Sequence, residues 1–350
     1  MNILFDMNHP AHVHLFRNAI QELSKQGHHI VIASREKEVT TQLLQYYQLP
    51  YLLLSKAGKG ILGLGKELIV RQLKLIPILL KNKIQLCISV TGASSIHIAR
   101  LMGIPYLIFH DSESAELQNA LTYPFATKIY TPESYHLHHG KKHVKYAGYH
   151  ELAYLHPKRF QPDPEVLNEL GVKAGEKFFV CRFVAWSASH DVGRYGFNLN
   201  QKLELLSLLQ KEGKVFITSE KPLEKELEPY RIRISPHRLL DILYYATLLI
   251  TDSQTVTTEA ALLGTPAIRY NSFVGPNDMG NFIELERKYD LIYSFRDFAQ
   301  ALAKMKELLK NLALKQDWQK KREELLKDKI DVTDWMVDRI LSYQKKESTV

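Results

Sequence analysis

ITDSQTVTTEAALLGTPAIRYN, residues 250–271, decides the fold. It reads as strand, tight turn, helix, glycine stop, proline, strand. Leu248, Leu249 and Ile250 make an apolar run suited to a buried strand, which ends at Asp252. The hydroxyls of Ser253 and Thr255 suit an N-cap, so a helix starts there. Val256, Ala260, Leu262 and Leu263 give it an apolar face, Gly264 stops it, and Pro266 forbids its continuation. A helix that begins where a buried strand ends leaves N–H groups without intrahelical partners, and such groups bind phosphate. Glu259 lies about one turn in, placed to accept hydrogen bonds from a ribose while Ser253, Gln254 and Thr255 hold phosphate oxygens. An ordinary strand–helix–strand unit with a satisfied cap and a surface Glu259 explains the same pattern.

The same rhythm extends in both directions. In the second half, strands are predicted over residues 178–184, 215–219 and 291–293, with helices over 203–211, 237–245 and 297–309. In the first half, strands fall at 2–6, 28–34, 51–54, 85–90, 105–109 and 128–131, separated by helices. Alternating strands and helices predict parallel sheets with helices on both faces, an α/β fold. The loop-rich run 148–164 carries the boundary between two domains, 1–160 and 165–312. A charged helical tail, 313–350, follows.

A chain of 350 residues is comfortable for two domains, and 45% apolar with 24% charged residues is a globular composition. Cys87 and Cys181 sit far apart in apolar runs and read as buried thiols, which gives no disulfide framework. The start, MNILFDMNHP, is a strand without the basic and apolar regions of a signal peptide. No stretch has the ~18 uninterrupted apolar residues of a spanning helix. The expected location is the cytoplasm. The net charge of +8 suits anionic substrates or an anionic membrane. No helix-turn-helix, zinc-finger or RNP-like pattern supports a nucleic-acid partner.

Residues 56–83 stand apart. Lys56, Lys59, Lys66, Arg71, Lys74, Lys81 and Lys83 face the single acid Glu67, with leucines and isoleucines between them. This is a basic amphipathic segment, partly helical, with glycine-rich turns at 58–65. It suits the inner face of the cytoplasmic membrane as a peripheral contact. A core-packed helix with a solvated basic edge is the alternative.

Polar residues that follow strands are the chemistry candidates, because parallel sheets bind ligands at their carboxyl ends. His12 follows the first strand, at the expected start of a helix in Asn8-His9-Pro10-Ala11-His12, and suits a general base or a phosphate donor. This loop is no G-x-G-x-x-G fingerprint, so a dinucleotide fold of the dehydrogenase kind is excluded. Asp111 is the second candidate base and Glu113 the third, in His110-Asp111-Ser112-Glu113; helix capping is their structural alternative. Arg182 interrupts an apolar strand and calls for an anionic partner. Ser187 and Ser189 follow the same strand and suit phosphate, and His237, at the start of helix 237–245, joins the donor-side candidates. His136, His138, His139 and His143 have no compact metal spacing and read as a solvated loop.

The chain resembles the GT-B superfamily of nucleotide-sugar glycosyltransferases and UDP-N-acetylglucosamine 2-epimerases. The resemblance rests first on DSQTVTTEAALLGTPAIRYN, which looks like the donor-binding segment of that superfamily. Over nearly its whole length the chain is also similar to a bacterial and archaeal family classed as a domain of unknown function. That similarity is carried by NHPAHVHLF (8–16), FHDSESA (109–115), GYHELAYLHP (148–157), RFVAWSASHD (182–191) and ELERKYDL (284–291). His12 matches the histidine that ends the first loop of the peptidoglycan N-acetylglucosaminyltransferase, although Asn8-His9-Pro10-Ala11 replaces that family's glycines. VTGASS (90–95) matches the epimerases, but Ala93 stands where they carry a catalytic Asp.

The resemblance implies two Rossmann-like domains facing across a cleft, with the tail helix crossing back to the first domain. It implies Glu259 on the ribose, with Ser253, Gln254 and Thr255 on the diphosphate. The implied activity is transfer of a sugar, from a UDP-sugar, to an envelope-glycan or lipid-linked acceptor. No cofactor is expected beyond the nucleotide sugar, which is the substrate. The lack of a D-x-D motif agrees with metal independence. An epimerase and a non-catalytic nucleotide-sugar binder are the other readings.

Overall fold

The computed structural model describes residues 1–350 except 38, 57, 59, 174, 185–194, 220–221 and 348–350. The chain forms two compact units, Met1–Arg159 with Ile330–Val350, and Phe160–Lys329.

Unit 1 is built on strands β1 (Asn2–Met7), β2 (His29–Glu36), β3 (Leu52–Lys56), β4 (Leu86–Ser89), β5 (Tyr106–Phe109), β6 (Lys128–Pro132) and β7 (His143–Tyr146). They form one sheet in the order β3-β2-β1-β4-β5-β6-β7, and every neighbouring pair is parallel. The intervening helices are α1 (Pro10–Lys25), α2 (Thr40–Tyr46), α3 (Gly60–Lys81), α4 (Ile96–Leu101), α5 (Glu116–Thr122) and α6 (Leu152–Leu155). Leu4, Val31, Cys87, Ile108 and Ile129 alternate onto one face of the sheet and are buried with Leu75, Leu79 and Ile96 from the helices. Both β7 and α6 fall in stretches whose sequence reads as irregular. His143 is not a solvated loop residue: its Nε2 lies 2.7 Å from the Thr131 hydroxyl on β6.

The glycine-rich run at 58–65 is mostly helix rather than turns, since α3 begins at Gly60. Gly58 is required for a close approach, because a Cβ there would lie 2.4 Å from the Gly63 carbonyl oxygen. The charges of α3 correct the sequence reading further. Arg71 is buried, and its Nη2 donates to Asp6 Oδ1 at 2.7 Å. Asp6 Oδ2 accepts from Ser94 at 2.8 Å and Ser95 at 2.5 Å, so the carboxylate is fully committed. Glu67 is also enclosed, paired with Arg35 and accepting from Ser55 at 2.7 Å. Arg71 and Glu67 of α3 therefore turn inward. Outward it shows Ile69, Leu73 and Leu80, 59%, 63% and 62% exposed, with exposed Lys66, Lys74 and Lys81.

Unit 2 holds strands β8 (Phe178–Phe183), β9 (Lys214–Ser219), β10 (Leu248–Thr251), β11 (Ala267–Tyr270) and β12 (Ile292–Phe295), all parallel, in the order β12-β11-β10-β8-β9. Its helices are α7 (Glu165–Glu169), α8 (Leu199–Leu209), α9 (Leu239–Tyr245), α10 (Gln254–Leu262), α11 (Gly280–Arg287), α12 (Phe298–Leu309) and α13 (Leu314–Asp328). α8 starts with a capping box between Asn198 and Gln201, and Asp297 caps α12 by accepting from the Gln300 N–H.

The charged tail is two helices, not one. α13 belongs to unit 2 and α14 (Val332–Glu347) to unit 1. The break is an N-cap: Asp331 Oδ1 accepts from the Thr333 and Asp334 N–H groups at 2.9 and 3.3 Å. α14 packs on α1 and α6, and Trp335 meets the rings of Tyr130 and Tyr146 at 5.2 and 4.9 Å.

Candidate functional site

In unit 2 the strand order reverses between β8 and β10. Open parallel sheets take ligands outside the carboxyl ends of strands at such a reversal. Arg182 on β8 is the register partner of Thr251 on β10, two residues before Ser253. α10 begins there, with Ser253 in extended conformation (φ −80°, ψ 140°) as its N-cap. The Ser253 hydroxyl makes no capping bond, contrary to the sequence expectation; the Ser253 N–H instead donates to Thr251 Oγ1 at 2.8 Å. The first turn, with half-buried Gln254 and Thr255, has no side-chain cap among the described residues.

The other end of α10 is closed. Gly264, at φ +70°, and Thr265 donate back to Ala261 and Ala260 at 3.0 and 2.8 Å in a Schellman pattern. α13 then supplies donors to the last carbonyls: Arg322 Nε to Leu262 at 2.6 Å, and Gln319 Nε2 to Leu263 at 3.0 Å and Gly264 at 3.2 Å. Lys315 reaches Thr265 and Ala246 beside them, and burial pushes its ammonium down to about 7. A helix with its negative end neutralised and its positive end uncapped favours an anion at its N-terminus.

Glu259 is on this helix but is buried, 5% exposed, and not a surface residue. Asp252 is occupied structurally, accepting from the Val184 and Phe197 N–H groups at 2.8 and 3.4 Å. Arg182 is half-buried and donates to the Thr218 hydroxyl at 2.9 Å. Ser187 and Ser189 lie outside the described residues. His237 sits in a short 3-10 turn before α9, its pKa lowered by burial and by adjacent Arg238.

Unit 1 reverses between β1 and β4, and its polar residues gather after β1, β5 and β7. His9 caps α1 by accepting from the Ala11 N–H at 3.2 Å, with Pro10 at the first helical position. His12 is half-buried, and its Nδ1 accepts from the Asn8 N–H at 3.2 Å. Burial, then the surrounding His9, His150, Lys37 and His110, hold its pKa well below the ordinary value. With Nδ1 accepting that bond, a neutral His12 carries its proton on Nε2, the form that donates a hydrogen bond.

Asp111 follows β5 and is not a helix cap, because the N-cap of α5 is Ala115. Its Oδ2 lies 3.4 Å from Nδ1 of His150. His150 is buried, and its Nε2 has no hydrogen-bond partner among the described residues. Burial lowers its pKa while Asp111 raises it. A carboxylate on Nδ1 leaves Nε2 of the neutral ring as an acceptor, the arrangement of an oriented base. Glu113 accepts from the His136 N–H at 3.0 Å and so fastens the loop after β6. The buried Oδ1 of Asn8 likewise lacks a partner among the described residues. Two such groups beside one cluster each cost about 1–3 kcal/mol unless a ligand meets them.

The family described as "Protein of unknown function (DUF354)" matches residues 1–345. The chain belongs to this family. A Methanocaldococcus jannaschii protein described as "Uncharacterized protein MJ0665" is 24% identical over 281 residues, 77% of this chain and 81% of that protein. Among solved structures, UDP-GlcNAc 2-epimerase from Neisseria meningitidis bound to UDP-GlcNAc is 12% identical with TM-score 0.62, covering 99% of this chain and 100% of that one. The glycosyltransferase SsfS6 of Streptomyces sp. SF2575, complexed with thymidine diphosphate, is 14% identical with TM-score 0.59, covering 96% and 99%. These likenesses give the DUF354 chain its fold, GT-B, with two parallel-sheet α/β domains.

Sequence reasoning missed His150 in this DUF354 protein. Without β7, GYHE reads as linker; with β7 in place, His150 stands just beyond a strand end. Ala93 lies in a segment filled by the Asp6, Ser94 and Ser95 network, and a Cβ on neighbouring Gly92 (φ +69°) would meet the Tyr106 hydroxyl at 2.6 Å. No group of His, Cys, Asp and Glu among the described residues has metal-site geometry.

Proposed function

We propose that this protein is a metal-independent glycosyltransferase that moves a sugar from a nucleotide sugar, a UDP-sugar, to an envelope-glycan or lipid-linked acceptor. Unit 2 supplies the nucleotide site, with the diphosphate on the first turn of α10 and Arg182, and the ribose on Glu259. Unit 1 supplies the base, Asp111 with His150, and His12 donates a hydrogen bond. The observation that carries the reading is the polarity of α10, whose carbonyl end is capped by α13 and whose first turn has no side-chain cap among the described residues. Fixed N–H dipoles and an Arg stabilise a leaving diphosphate without a metal.

The outward face of α3 supports a membrane-associated acceptor: exposed Ile69, Leu73 and Leu80 lie beside Lys66 and Lys81. Sedimentation with phosphatidylserine vesicles tests this through Lys66→Glu/Lys81→Glu and Ile69→Asp, leaving buried Arg71 alone. No helix among the described residues is long and apolar enough to cross a membrane.

The assay incubates the protein with UDP-GlcNAc, alone and with lipid-linked acceptors, following the anomeric proton signals and UDP release. Acceptor-dependent UDP release supports transfer. A 2-epimerised product without acceptor replaces the transferase with an isomerase. Binding without turnover under either condition makes the protein a nucleotide-sugar binder.

A further inference from the structure

His150 lies in the turn that leaves β7, and that turn is shaped by α14. The helix and the residues leading into it touch the run 146–153 repeatedly. The Ile330 N–H donates to the Ala147 carbonyl at 2.8 Å. The buried Thr333 hydroxyl donates to the Ala153 carbonyl at 2.7 Å. The Trp335 ring lies 4.9 Å from the Tyr146 ring, inclined at 38°. A Cβ on Gly148 would stand 2.6 Å from Cγ2 of Val332, so the backbone passes closer to α14 than any residue with a side chain allows.

His150 is held within this turn. Its ring is stacked on that of Tyr146, with 7° between the planes and 6.5 Å between centroids. Its carbonyl accepts from the Ala153 N–H at 3.0 Å, and Asp111 stands at its Nδ1. Trp335 also meets the Tyr130 ring edge-on at 5.2 Å. Tyr130 in turn packs on Phe109 at 4.9 Å, and Phe109 is the last residue of β5, two positions before Asp111. Trp335 therefore braces both members of the pair. Through Tyr146 it supports the turn that carries His150, and through Tyr130 and Phe109 the strand end that carries Asp111.

We propose that Trp335 is a positioning residue for the Asp111–His150 pair, which makes α14 a working part of the unit 1 site. The proposal rests on the reading of that pair as the transferase's base. The contact from His150 Nδ1 to Asp111, 3.4 Å, is already near the long limit of a hydrogen bond, so a small displacement of either partner breaks it. While it holds, the carboxylate keeps the proton of the neutral ring on Nδ1 and leaves Nε2 as the acceptor. Once it is broken, nothing selects that tautomer and the proton divides between the two nitrogens. Tryptophan suits the task, because one rigid ring system supports Tyr146 and Tyr130 together.

The test separates this brace from the transferase reading. In full-length protein with 15N-labelled histidine, NMR reads the tautomer of His150 from its ring nitrogens. Trp335→Ala mixes the two tautomers, and Trp335→Phe, which keeps a ring in place, brings the parent tautomer back. Should Trp335→Ala not fold, Gly148 carries the same test. Gly148→Ala presses its Cβ against Val332 and shifts the His150 signals, and adding Val332→Ala removes Cγ2 and restores them. In the transferase assay, Trp335→Ala and Gly148→Ala lower turnover about 10–100-fold without changing KM for the nucleotide sugar, and the restoring variants recover it. His150 signals unchanged in both Trp335→Ala and Gly148→Ala overturn the brace, whatever the protein's activity. Altered signals in a protein with no transferase activity keep the brace and discard the transferase. Altered signals with turnover unaffected show that the reaction does not depend on the geometry of the pair and overturn the proposed role.

Discussion

The two units present polar residues at the same topological place by different means. Unit 2 relies on the backbone: an uncapped helix start, hydroxyls and one Arg at the β8–β10 reversal. Unit 1 relies on side chains that titrate: His12, His110, Asp111 and His150 around the ends of β1, β5 and β7. The first kind of site suits a fixed, fully ionised ligand such as a diphosphate, because helix dipoles do not change with pH. The second suits a proton in motion, because neutral imidazoles beside a carboxylate can accept and pass one. On the proposed function, binding falls to one unit and proton chemistry to the other.

Substitutions should separate the two roles. The largest effect is expected from Asp111→Asn, which should cost turnover about 10²–10⁴-fold while leaving UDP affinity unchanged by calorimetry. An equal loss of affinity would merge the two roles. Beneath the unit 1 site, Asp6→Ala strands the buried Arg71 guanidinium and should destabilise unit 1 by about 3–5 kcal/mol in denaturant titration. Destabilisation under about 1 kcal/mol would mean that Arg71 finds water.

Glu259→Gln, which keeps the volume of this buried side chain, removes a charge-assisted hydrogen bond worth about 1.5–3 kcal/mol. UDP binding should weaken about 10–100-fold with thermal stability near that of the parent.

The smallest effect is in pH. Burial holds His14 near 3 and His110 near 4. The unfolded chain therefore takes up protons first as pH falls below ~6.5. This part of unit 1's stability is complete above that pH and is lost as pH falls from ~6.5 to ~4 for His110 and to ~3 for His14, by up to about 1.4 kcal/mol per pH unit for each imidazole. In unit 2 the sign at higher pH is set by Lys315, depressed to about 7. Its unfolded form holds a proton up to ~10.4, so stability rises with pH from ~7 to ~10. Denaturant midpoints at pH 5, 7 and 9 check both slopes, and a flat profile would remove the contrast.

The fold was legible because its signals are local. The run of Leu248, Leu249 and Ile250, Gly264 and Pro266 announce β10, α10 and β11, and the structure closes α10 on Gly264 by backbone bonds. The misses have one physical cause: partners far away in sequence. β7 reads as irregular because four histidines obscure a short strand that is paired only through β6. α3 reads as a basic surface because nothing local shows that Arg71 turns toward Asp6, 65 positions away. His12 was visible as a candidate, yet its donor tautomer depends on one bond from the Asn8 N–H. His150 was invisible because its importance comes from Asp111 and a strand end.

Amide NMR during a titration with UDP tests most directly whether unit 2 is the nucleotide site. The backbone signals of Gln254, Thr255 and Val256, at the uncapped start of α10, should shift and saturate together, and Glu259→Gln should raise the concentration required. Shifts confined to the His12, Asp111 and His150 surroundings of unit 1, with the α10 amides unmoved, would contradict the account.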